Sequence, residues 1–252
     1  MAYRADMCGR YATARHPDDL ADEFGIERIV VEERLEPNYN VAPTDPVYAV
    51  VERSDKAEPE SRPQRQLRVV RWGLVPSWAK DVKIGARLIN ARAETLDEKP
   101  AFRKAFATRR CLLPADGYYE WYTDEGSKAK QPFFIHRSGG GILAMAGIYE
   151  FWRDPNAPAD ADPWLWSCAV ITTEATDDVG RIHDRMPMLV EAANWDRWLD
   201  PRPVPQEFDL RELLVPAVPG RLEAYAVSTK VNDVRNNGPE LVAPIGDVPL
   251  PS

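Results

Sequence analysis

Apolar residues recur along this chain in short runs, either alternating with polar ones or continuous over a few positions, and both patterns predict strands. Runs rich in β-branched and aromatic residues predict strands over 47–51, 67–72, 111–113, 133–136, 142–152 and 165–173, with a last one over 225–228. Helical signals are fewer. Residues 18–25 have an aspartate start and a glycine stop, and 100–110 has a proline near its start with Phe102 and Phe106 on one face. Short helices are predicted over 194–199 and 209–214. The polar, proline-containing stretches 52–66 and 153–163 are predicted loops. Many strands with few helices between them exclude a doubly wound parallel sheet. The expected fold class is α+β, one domain over residues 1–252 built on a curved, largely antiparallel sheet with a few short helices.

Composition narrows the function. The longest apolar stretch, 142–149, is far too short to span a bilayer, so no membrane partner is expected. The start, MAYRADMCGRY, lacks the apolar region of a signal peptide, which makes the cytoplasm the expected compartment. Cys8, Cys111 and Cys168 are widely spaced, and with only three histidines they fit neither a disulfide framework nor a metal site. No metal and no cofactor are therefore expected. The net charge of −8 argues against nucleic acid only until it is resolved along the chain. Residues 62–110 hold thirteen Lys/Arg against four acids, a segment of +9 in a remainder of about −17. Phosphate binding needs a local basic surface rather than a basic total, although a solvated charged face reads the same way.

Several residues have chemistry to offer. Cys8 is flanked by polar residues, and Arg10 beside it favours the thiolate; a buried, inert cysteine is the usual alternative. Cys8 also follows Met7. If translation begins at Met7 and that methionine is removed, Cys8 carries both a thiol and a free α-amine, a pair that condenses with an aldehyde and closes a thiazolidine ring. His183, between charged residues and near Pro187, suits proton transfer near neutral pH. Glu120 among aromatic neighbours suits general acid–base work if desolvated, or is a solvent-facing strand glutamate. Alternation places Asn90, Arg92 and Glu94 on one face if that stretch is extended, and an amide with a guanidinium can hold a sugar and a phosphate. Trp72 and Trp78 interleave with the basic stretch and can stack bases, though at least one of them is expected in the core.

Taken in order, Met7-Cys8-Gly9-Arg10-Tyr11-Ala12, Asn38-Tyr39-Asn40-Val41-Ala42-Pro43, Trp72-Gly73-Leu74-Val75-Pro76-Ser77-Trp78, Asn90-Ala91-Arg92-Ala93-Glu94-Thr95, the stretch Cys111 to Trp121 and His183-Asp184-Arg185-Met186-Pro187 closely resemble the SOS response-associated peptidase family. Each motif is weak by itself; six in order from Met7 to about Trp198 are specific. The resemblance implies a barrel-like, mainly antiparallel sheet and a monomeric protein, acting at the nucleoid, that shields abasic sites in single-stranded DNA through a covalent crosslink. By position, it implies that Cys8 forms the crosslink, Asn90 positions amine and sugar, Glu120 is the general acid–base, and His183 assists ring opening and reversal. It places Arg10, Arg92 and Arg185 on phosphates, and Asn38, Pro43, Trp72 and Trp78 along the strand.

One departure matters. In the family the cysteine follows the initiator methionine, whereas here Met1 to Asp6 come first. An internal cysteine has an amide nitrogen, which forms no Schiff base. Either Met7 is the true start, or a leader is removed, for example by self-cleavage at the Met7–Cys8 bond. Two other functions use the same residues: a thiol peptidase acting in trans through Cys8, Glu120 and His183, and a non-covalent reader of modified bases or single strands.

Overall fold

The computed structural model describes residues 9–54, 61–124, 129–176, 179–202, 210–213 and 220–251. Its elements run β1 (Tyr11–Thr13), α1 (Pro17–Phe24), β2 (Arg28–Val30), β3 (Asn38–Val41), β4 (Pro46–Arg53), β5 (Gln64–Trp72), β6 (Asn90–Arg92), α2 (Arg103–Thr108) and β7 (Arg110–Ala115). Then come β8 (Gly117–Tyr122), β9 (Gln131–Arg137), β10 (Leu143–Arg153), β11 (Trp164–Glu174), α3 (Val179–Ile182), β12 (Arg185–Pro187), α4 (Trp195–Leu199) and β13 (Leu222–Ala226).

A closed barrel forms the centre. β4 pairs antiparallel with β5 and β7, and β10 pairs antiparallel with β7 and β11. β11 lies parallel to β5, with Cys168 opposite Trp72, which closes the ring. A second sheet in the order β13-β9-β8-β1-β3 packs against it. Strand alternation decides both cores. Val47, Ala49, Val51, Val70, Trp72, Cys111, Leu113 and Cys168 share one core with Tyr11, Tyr118, Phe133 and Ile135 of the second sheet. The intervening residues Val50, Leu67, Leu112, Ile148 and Ile171 pack under α1, α2 and α4 against Leu20, Phe24, Phe106 and Trp198. Each such fully buried side chain contributes about 1.5–3 kcal/mol. The expected α+β class and barrel-like antiparallel sheet are therefore present.

Local chemistry explains the helix that was legible. α1 has Pro17 at its start, Asp18 and Asp19 in its first turn, and Gly25 after its end at φ 61°, a left-handed position that glycine adopts without penalty. Elsewhere long-range pairing overrode local signals. The loop expected over 52–66 is shorter, because the β4–β5 ladder continues to Arg53 opposite Gln64, with Glu52 bound to Arg65 across it. The helix expected over 100–110 keeps only Arg103–Thr108, since β7 captures Arg110 opposite Ile148. The helix expected over 209–214 is a 3₁₀ turn, Leu210–Leu213. The last strand begins earlier than expected, at Leu222, paired with Arg137.

Candidate active site

Cys8 lies outside the described residues, but the strand that follows it is well defined. Tyr11 pairs with Tyr118 and Ala12 with Gly117, and the Tyr119 amide donates to the Arg10 carbonyl at 3.0 Å. The same register, continued, sets Gly9 opposite Glu120. Glu120 sits on β8 across from Phe133, only 2% exposed. A carboxylate held there among aromatic side chains has lost most of its hydration, the environment that suits proton transfer.

α3 packs against β8 and leads directly into His183. The His183 amide donates to the Val179 carbonyl, and its Nδ1 accepts the Arg185 amide at 3.0 Å. The Asp184 carboxylate stands 3.2 Å from the same nitrogen, so Nδ1 has both a donor and an acceptor beside it. β6 adds the third wall. It runs parallel to β11, with Asn90 level with Val170 and Arg92 level with Thr172, while β12 pairs on the other side of β11 with Arg185 opposite Glu174. A recess of about 460 Å³ opens here, lined by Arg92, Glu174, Ala175, Gly180, Asp184 and Arg185. The structure thus sets Glu120 beside the start of β1 with α3 and His183 against the same strand, and brings Arg92, Asp184 and Arg185 to one recess.

Arg10 is half-buried. Its Nη1 donates to Asn40 Oδ1 at 2.8 Å and to the Val231 carbonyl at 2.9 Å. Burial lowers its pKa, opposed by Asp45 and Asp233. Asn40 was not singled out by composition or spacing, yet it is 2% exposed and its amide donates to the carbonyls of Val231, Asp233 and Asn236. It therefore ties Arg10 and β3 to the segment 231–236. Asn38 is partly exposed and accepts the Asn40 amide through Oδ1. Pro43 is partly exposed in a tight turn whose next residue, Thr44, has φ 81° and donates to the Trp72 carbonyl.

Three expectations are corrected. Trp72 is fully buried; its indole N–H donates to the Ile89 carbonyl at 3.0 Å and its ring meets Tyr11 edge-on at 5.1 Å, so no base can reach it. Trp78, in contrast, is 60% exposed. The chain leading to it turns at Gly73, where φ is +125° and a Cβ would meet the Gly85 carbonyl oxygen at 2.7 Å. Arg185 is buried and gripped by Glu94 in a two-point fork, Nη1–Oε1 at 2.6 Å and Nη2–Oε2 at 3.0 Å, with the Thr172 carbonyl as a further acceptor. It pins β12 rather than standing open to a phosphate. Glu94 reaches it because β6 ends at Arg92 and a 3₁₀ turn over Ala93–Thr95 redirects the chain. The fork is the main cause that holds the Glu94 carboxyl below its ordinary range. Finally, part of the +9 segment is internal. Arg65 binds Glu52 and Asp196, Arg109 binds Glu150, and buried Arg110 donates to the carbonyls of Trp198, Phe106, Ala107 and Asp200.

Among the described residues no helix is long and apolar enough to cross a membrane. The sequence profile of the SOS response associated peptidase (SRAP) family matches residues 7–234. The chain is 39% identical over 236 residues to the abasic site processing protein YoqW of Bacillus subtilis, covering 94% of this chain and 99% of that one. It is 32% identical to the abasic site processing protein HMCES of Xenopus tropicalis, covering 95% of this chain and 78% of that one. A crystal structure of a protein from Bacteroides thetaiotaomicron is similar with a TM-score of 0.73 at 26% identity, over 94% of this chain and 99% of that one. With the profile spanning most of its length and relatives this similar, the chain belongs to the SOS response associated peptidase family.

Proposed function

We propose that this protein processes abasic sites in single-stranded DNA by covalent capture through Cys8, acting as a monomer in the cytoplasm at the nucleoid. The observation that supports the reading is the pairing of β8 with the start of β1, which sets Glu120 on the strand beside the one that continues from Cys8, with α3 packed on β8 just before His183. The names of the relatives, abasic site processing proteins, point the same way. The family profile begins at Met7, which fits a chain in which Cys8 leads.

With Cys8 at the N-terminus, its α-amine attacks the aldehyde carbon of the ring-opened deoxyribose. A C–N bond forms, the carbonyl oxygen leaves as water, and an imine results. The sulfur then adds to the imine carbon while the nitrogen takes up the proton the thiol gives, closing a five-membered thiazolidine with no oxidant needed. Glu120 carries protons for the dehydration. Asn90 holds the amine and the sugar, and His183 assists ring opening and the reverse reaction. Arg92 and half-buried Arg10 take the flanking phosphates, and Asn38, Pro43 and Trp78 border the strand.

The test is a denaturing gel of protein produced from Met7 and incubated with single-stranded DNA carrying one abasic site. A shifted band is expected with the parent, none with Cys8→Ala, and a rate about 10²–10⁴-fold lower with Glu120→Gln. An undiminished band with Cys8→Ala refutes the mechanism. Binding with no crosslink favours a non-covalent reader, and peptide turnover indifferent to DNA favours a trans peptidase.

A further inference from the structure

At the far mouth of the barrel, the Arg53 end of β4, cations lie over the aromatic side chains that close it. The Arg68 guanidinium lies 4.3 Å from the Trp166 ring centroid, and Arg53 lies 4.9 Å from the same ring and 5.0 Å from Phe151. Tyr149 stacks on Trp166 with 7° between the planes, so the aromatic base is rigid. Arg28 on β2 stands beside Gln66, the residue whose Oε1 accepts Arg68 Nε, and exposed Arg153 pairs with Trp164, itself 51% exposed. A recess of about 440 Å³ opens next to them, bordered by Arg53, Tyr149 and Phe151, by Arg109 and Arg202, and by Glu52, which is bound to Arg65.

Charge is the telling feature. Among the described residues, none of Arg28, Arg53, Arg68 and Arg153 has an acidic partner, in a chain of net charge −8 where Arg65, Arg109 and Arg202 all do. Burial, and after it the neighbouring charges of Arg53 and Arg28, draw Arg68 below the usual arginine range. Cations stacked on aromatic rings gain a modest stabilisation, but gathering like charges opposes it. Packing alone gives no reason to gather four like charges at one mouth. An anion completes the cluster: Arg53, and the Nη groups of Arg68 beyond the Nε that Gln66 accepts, keep N–H donors for a phosphate oxygen.

We propose that this mouth is a second contact for single-stranded DNA, holding backbone phosphates of the strand that runs from the lesion site, with exposed Trp164 as a stacking platform. The proposal rests on the abasic-site reading for its substrate class. Trp166 and Thr172 lie on the same strand, β11, and at about 3.3 Å per residue the two sites stand roughly 20 Å apart along the barrel. A strand that reaches both gains affinity without touching the chemistry.

The variant Arg28→Gln/Arg53→Gln/Arg153→Gln, full length from Met7, tests it. Binding of undamaged single-stranded DNA of about 20 nucleotides, longer than the roughly 4–16 covered by one small single-strand-binding fold, is measured across salt. The expected result is about tenfold weaker binding at low salt and a log–log salt slope shallower by about 2, at ~0.7 for each phosphate that is no longer neutralised. Crosslinking to an abasic oligonucleotide of about 5 nucleotides, too short to reach this mouth, is expected to keep its parental rate, and the melting temperature to hold. Unchanged affinity and slope overturn the proposal, as does parental DNA binding with weakened binding of polyglutamate, which assigns the mouth to an acidic protein. A large fall in melting temperature with parental DNA binding also overturns it, in favour of a structural plug. If the parent crosslinks neither the short oligonucleotide nor a long abasic strand but long-strand binding still responds to the variant, the covalent mechanism falls and the second site stands.

Discussion

The buried position of Trp72 makes a prediction that separates packing from recognition. Trp72→Phe removes the indole N–H that donates to the Ile89 carbonyl and part of a ring that is 0% exposed against Tyr11. Loss of the hydrogen bond with its buried acceptor left unpaired costs about 1–2 kcal/mol, and the reduced ring leaves a cavity worth about 1 kcal/mol more. The expected total is about 2–3 kcal/mol, a fall of roughly 5–10 °C in melting temperature for a chain of this size. Urea titration followed by tryptophan fluorescence measures the first quantity, and anisotropy of a labelled single strand measures DNA affinity on the folded variant. Affinity is expected to stay within about twofold of the parent. A stacking tryptophan gives the reverse result, with stability retained and affinity reduced by about 5- to 150-fold, the equivalent of 1–3 kcal/mol. That outcome would refute the assignment of Trp72 to the core.

Further expectations follow from the hydrogen bonds. Asn40→Ala leaves the carbonyls of Val231, Asp233 and Asn236 short of a donor and frees Arg10, so chemical denaturation should show a loss of about 2–4 kcal/mol; a loss under about 0.5 kcal/mol contradicts the bridging role. The Glu94 carboxyl is held below its ordinary value chiefly by Arg185, so its stabilisation is present above that value of 4.5 and disappears as pH falls through the lowered one. Glu94→Gln should therefore be less stable than the parent at neutral pH, by about 1 kcal/mol or less because Glu94 is half-exposed, and the two melting curves should converge in acid. A gap that stays constant with pH argues against the fork. Arg92→Gln should reduce the DNA salt slope by about 0.7, whereas Arg65→Gln should leave it unchanged and lower stability; equal slope changes would mean that Arg65 also reaches phosphate.

Much of this fold is local in origin, and that part was legible. α1 has its stop signal within its own residues, and the barrel strands show their β-branched alternation directly. The short strands did not. β1, β6 and β12 each span three residues of mixed polarity, and their pairing depends on partners far along the chain, such as Tyr118 for Tyr11 and Val170 for Asn90. The two tryptophans of one motif make the same point. Trp72 continues a strand and shares the inward face with Val70, a parity that marks it as core, while Trp78 lies in the loop beyond Gly73. Arg185 looked available because Glu94, its partner, lies 91 residues away.

The arginines show why a charge count is an incomplete guide to a polyanion site. Within 62–110, Arg65, Arg109 and Arg110 are committed to carboxylates and to the carbonyl ends of α2 and α4, where a cation stabilises the fold whatever the ligand. What is left exposed falls mainly in two stretches, Trp78, Lys80, Lys83, Arg87 and Arg92 in one and Lys99, Arg103 and Lys104 in the other, with Arg92 lining the recess. At the other end of the barrel the uncompensated cations include Arg28, Arg53 and Arg153, none of them in the basic segment. Long-range attraction of a phosphate backbone depends on the local field of exposed cations and not on the total, so a chain of −8 can present cationic patches within an acidic remainder. The separation has a consequence that net charge does not: a strand long enough to meet both ends should show a steeper salt dependence than one confined to Arg92 and Trp78.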